Sequence, residues 1–67
     1  MTPSWFVLSD EVGTILGVYE SALLDMAKER AEKIIQETAC PVYLHHIVGD
    51  RPKVGNSIGM KNVKELQ

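Results

Sequence analysis

Sixty-seven residues, 45% hydrophobic and 24% charged with a formal net charge of −2, fit one small folded domain and exclude a strongly basic or low-complexity chain. A domain of this size buries only about 60% of its unfolded surface, so its core needs a supplement. Cys40 is the single cysteine, which excludes an internal disulfide, and no C-x-x-C or H-x-x-x-H spacing offers a zinc site; a second chain or another partner is the expected supplement.

The N-terminal stretch MTPSWFVLSDEV has no basic n-region and carries Asp10 and Glu11 too early for a signal peptide. No apolar run reaches the roughly 20 residues that span a bilayer. The expectation is a cytoplasmic protein without a membrane segment. Trp5 to Ser9 (WFVLS) reads as a buried strand. Asp10-Glu11-Val12-Gly13 reads as a tight turn, with Asp at its start and Gly13 free to take a positive φ. Thr14 to Tyr19 (TILGVY) is apolar and β-branched, so the two runs predict a hairpin. Gly17 inside the second strand marks a bulge or a close approach of another chain.

From Ser21 to Ala39 the spacing changes to that of a helix. Leu23, Leu24, Ala27, Ala31, Ile34, Ile35 and Thr38 share one face, and Asp25, Glu29, Glu32, Lys33 and Gln36 point the other way. Ser21 is the expected N-cap, and Pro41 the expected stop through its effect on Cys40. The small centre of the apolar face suits close packing on a sheet. Pro41 to Val48 (PVYLHHIV) predicts a third strand, closed by the turn Gly49-Asp50-Arg51-Pro52. The order is β-β-α-β. It predicts an α+β fold: a three-stranded antiparallel sheet in spatial order 2-1-3, with one helix packed on one face; strand three beside strand two, as a right-handed parallel unit, is the alternative.

The domain is expected over 1–52, followed by a polar, mildly basic tail over 53–67. Residues 1–48 carry seven acids against three bases, whereas residues 49–67 carry Arg51, Lys53, Lys61 and Lys64 against Asp50 and Glu65. Those four bases are the candidate tail contacts. Met60, Val63 and Leu66 recur at helical spacing, so Asn62 to Leu66 is a candidate for one turn of helix docked on the body.

Strict alternation puts Phe6, Leu8, Leu16, Val18, Val42, Leu44 and Val48 on one side of the sheet. It puts Trp5, Val7, Ile15, Tyr19, Tyr43, His45 and Ile47 on the other. Both faces are apolar and one helix covers one of them. The other needs a cover: a twin subunit first, the tail second, or a different macromolecule. Trp5, Tyr19, Tyr43, His45 and Ile47 are therefore the candidate interface.

Few residues suggest catalysis. His45 and His46 are adjacent on a strand and point to opposite faces, so they do not chelate one metal. Cys40 sits at a helix C-terminus, the negative end of the helix dipole, against the usual setting of a reactive cysteine. Gly55-Asn56-Ser57-Ile58-Gly59 lacks the P-loop pattern. No catalytic, metal or cofactor site is expected. The aromatic face could stack bases, but none of the three strands carries Lys or Arg, so nucleic-acid binding through that face and the basic tail ranks second.

The hairpin ending LGVYES, the Ala-rich helix and the closing strand PVYLHHIVGDRP together resemble small β-β-α-β accessory proteins of phages and bacteria, over residues 5–52. The resemblance implies a stand-alone, non-enzymatic protein that binds and modulates a host protein. It assigns no functional residue. The function expected from sequence is thus a protein-interaction module, homodimeric, with an unidentified protein partner.

Overall fold

The computed structural model describes residues 2–58 and the backbone of residues 64–66. Its elements are β1 (Ser4–Ser9), β2 (Ile15–Glu20), α1 (Leu24–Thr38), β3 (Val42–Val48) and a short β4 (Lys64–Leu66). All neighbours pair antiparallel, in the order β2-β1-β3-β4. The expected 2-1-3 sheet with one helix is present, with a fourth strand added beyond β3. Lys64 to Leu66 thus pair as a strand with Val42 to Leu44, a correction to the helical turn expected there. Lys61, Met60 and Val63 lie outside the described residues.

The hairpin turn forms as its chemistry demands. Asp10 Oδ1 accepts from the backbone N–H of Val12 at 3.1 Å and of Thr14 at 2.9 Å, and Gly13 takes φ +90°. Between Leu8 and Ser9 the register slips: Leu8 pairs with Gly17 but Ser9 with Ile15, so Leu16 is one residue too many. This bulge resets the alternation of β2. Tyr19 now stands opposite Phe6, on the helix side, and Val18 opposite Val7, on the far side. Both placements correct the strict alternation, which had put Tyr19 with Trp5. Gly17 gives Tyr19 its room. A Cβ there would lie 3.1 Å from the Tyr19 ring, tighter than ordinary contact.

α1 starts less tidily than its sequence suggests. Ser21 to Leu23 form a 3₁₀ turn, Leu23 occupies the cap position, and no side chain caps either start; Ser21 is not the N-cap. The helix stops at Ala39, in left-handed conformation (φ +56°), whose N–H donates to Ile35 O at 2.8 Å. That stop comes one residue before Cys40, the position that Pro41 restricts. Ala27 and Ala31 are buried against Leu8 and Val42, with Phe6, Leu16, Tyr19, Ile34, Ile35 and Leu44 packed around them. Burying Leu8 and Val42 contributes about 1.5–3 kcal/mol each. Leu23 and Thr38, expected on the buried face, are exposed at the helix ends.

The far face is buried as well, without a helix. Val7, Ser9, Ile15 and His45 are 0–5% exposed. After β3, Gly49 N–H donates to Pro3 O (2.8 Å) at one end of the sheet. By Asn56 the chain has reached the other end. There Gly55 N–H donates to Ile15 O and Ile15 N–H to Asn56 O, both at 2.9 Å, and Ile58 N–H donates to Gly13 O at 2.8 Å. Between these anchors Arg51 stacks on Trp5, whose side chain faces away from α1. Residues 49–58 therefore run as a strap from the Pro3 end of the sheet, past Trp5, to the outer edge of β2 at Ile15.

Candidate interaction surfaces

The five residues expected to form one interface are divided by the structure. Trp5, Tyr43, His45 and Ile47 share the far face; Tyr19 is on the other. The strap anchors on this far face through Trp5, whose Nε1–H donates to Gly49 O at 2.9 Å. The Arg51 guanidinium lies 5.7 Å from the centre of the Trp5 ring, within cation–π range. His45 is buried, and Trp5, Tyr43 and Ile47 are half-buried. Of the four basic tail residues, Arg51 is thus committed to Trp5, Lys53 is exposed, Lys64 has its place in β4, and Lys61 lies outside the described residues.

Two imidazoles sit back to back across β3. His46 faces the helix side and stacks on Phe6, ring centroids 5.1 Å apart. His45 Nε2 lies 2.6 Å from Ser9 Oγ, which is also 3.2 Å from Asp10 O. Burial holds the His45 pKa below the usual imidazole value. A serine beside a neutral imidazole has the geometry of a nucleophile and its base. Ser9 is fully buried, however, so no substrate reaches it. Cys40 is exposed beside the helix end, with Sγ 3.4 Å from Thr38 O. Among the described residues no cluster of three or more His, Cys, Asp or Glu could hold a metal ion, and no helix is long and apolar enough to cross a membrane.

A surface that the sequence did not single out lies along β2. β4 pairs the outer side of β3 over Val42 to Leu44, and residues 55–58 pair the start of the β2 edge. The rest of β2 has β1 as its one strand neighbour. The ladder fixes what this edge presents. Ile15 turns its N–H and C=O outward to Asn56 and Gly55. With the bulge absorbing Leu16, alternation turns the backbone of Val18 and of Glu20 outward too. Beside this edge runs a shallow groove lined by Tyr19, Met26, Glu29, Arg30 and Lys33. Met26 is 54% exposed, on the flank of α1 beside the face of the buried alanines. A methionine outside the apolar stripe was the one sequence signal for this groove. Gly17 marks a bulge, but nothing in the sequence shows which residue is skipped, and that is what brings Tyr19 into the groove.

No family model, curated protein or solved structure matches the chain.

Proposed function

We propose that this protein is a non-enzymatic protein-interaction module that pairs an extended segment of another chain with the outer edge of β2. The supporting observation is an unpaired stretch of edge: among the described residues the chain pairs β3 over Val42 to Leu44 and the first part of the β2 edge, and leaves Val18 to Glu20 beside a groove lined by Tyr19 and Met26. Added strands take affinity from main-chain bonds and specificity from side-chain pockets, and the edge and groove supply one of each. The sealed Ser9–His45 pair supports the non-enzymatic part of the reading. The lone exposed Cys40 fits the cytoplasm.

Extended peptides selected from a random display library for binding to this protein test the reading. They should shift the backbone amide resonances of Val18 and Glu20. Val18→Pro, which removes one outward donor and leaves the β1 ladder intact, should lower their affinity about tenfold or more. Peptides that perturb Trp5, Tyr43 and Ile47 instead would move the site to the far face, where these side chains remain half-exposed around the strap. Tyr43→Ser separates the two surfaces, since it leaves the β2 edge untouched.

A further inference from the structure

We propose that the occupant of the β2 edge is a second copy of this chain, joined edge to edge about a two-fold axis beside Tyr19. This rests on the reading of that edge as a docking site, and names what docks.

Native edge strands are guarded by lysines, prolines or inward charges, because a bare edge pairs with any other. β2, ILGVYE, has neither lysine nor proline, and Glu20 at its end is its one charge. Antiparallel pairing with an identical strand about Tyr19 sets Val18 of each copy opposite Glu20 of the other, so that the outward backbone groups meet. The two Tyr19 residues then form a non-hydrogen-bonded pair, where side chains approach most closely.

The groove favours a copy over a foreign peptide. Its rim carries Glu29 together with Arg30 and Lys33, all exposed on α1. A two-fold axis reverses the second helix relative to the first. The acid of each copy then falls towards the bases of the other, twice over by symmetry. A surface of mixed sign is self-complementary in this way, whereas a ligand of one charge sign would meet repulsion at Glu29 or at Arg30 and Lys33. Met26, exposed in the single chain, becomes covered at the same seam.

Sedimentation of the full chain over a concentration series, with charge-reversed variants, tests the proposal. All three positions are exposed on the helix, so the variants keep the fold. The wild type should be a dimer. Glu29→Lys, which makes the groove all basic, and the double variant Arg30→Glu with Lys33→Glu, which makes it all acidic, should each be monomeric. An equimolar mixture of the two variants should restore the dimer. Amide exchange should slow at Val18 and Glu20 in the dimer alone. A wild type that stays monomeric overturns the second copy as occupant; the displayed-peptide experiment, which needs no dimer, then decides separately whether the edge is a docking site. A dimer indifferent to both charge reversals overturns the seam, since the copies would meet elsewhere.

Discussion

Ser9 and His45 are the two buried polar side chains among the described residues, and they tie the stability of the fold to pH. The His45 pKa is lowered by burial, so the folded protein holds this imidazole neutral where the unfolded chain, with a pKa of ~6.5, already binds a proton. Stability is therefore complete above about pH 6.5. It declines as the pH falls from there towards the folded-state pKa, and is flat below it. Urea unfolding at stepped pH should show this loss in the wild type and a smaller one in His45→Gln, which cannot titrate. An equal slope in both would assign the loss to other groups. Leu16 shows the same leverage of a single residue. Asp10 and Gly13 announced their turn because turn chemistry is local. The bulge was signalled by Gly17, but alternation carries no mark of where one residue is skipped, and one skipped residue moved Val18 and Tyr19 to opposite faces from those expected. The groove could not be assembled from sequence for that reason.

At the scale of elements, α1 is held by the closeness of Ala27 and Ala31 to Leu8 and Val42. A larger side chain at Ala31 lifts the helix from the sheet, and a charge there is buried without a partner. Ala31→Glu should cost several kcal/mol, enough to unfold a domain of this size. Glu32→Ala, one residue on and exposed, should change stability by less than about 0.5 kcal/mol. Equal melting temperatures for the two variants would contradict the placement. The helix was legible because a fifteen-residue amphipathic period averages over many positions. β4 was not, since three residues, two of them charged, have too little pattern to alternate. Its pairing partner, β3, is about twenty residues away in the chain.

For the whole molecule, residues 53–58 and 64–66 belong to the fold. Sequence offered two covers for the far face first, a twin or the tail, and the strap supplies cover from within the chain. Deleting residues 54–67 removes the three main-chain bonds to Gly13 and Ile15 together with β4. For a domain of 60–100 residues each lost kcal/mol lowers the melting temperature by about 4–8 °C, so a fall of at least that size is expected in a thermal melt followed by circular dichroism. An unchanged melt would mean that the strap is dispensable.

The strap also imposes a timetable. Trp5 is made early, yet Gly49, whose carbonyl anchors it, is made 44 residues later. Before residues 49–58 dock, residues 4–48 can already bring α1 onto Leu8 and Val42. Throughout that interval the side bearing Trp5 and Val7 is bare to the cell, an apolar patch of the kind that chaperones and stray strand edges recognise. A chain that stalls or is cut after Val48 keeps that patch permanently. Docking of the strap is thus the step at which the Trp5 side of a sticky chain is crossed by its own backbone.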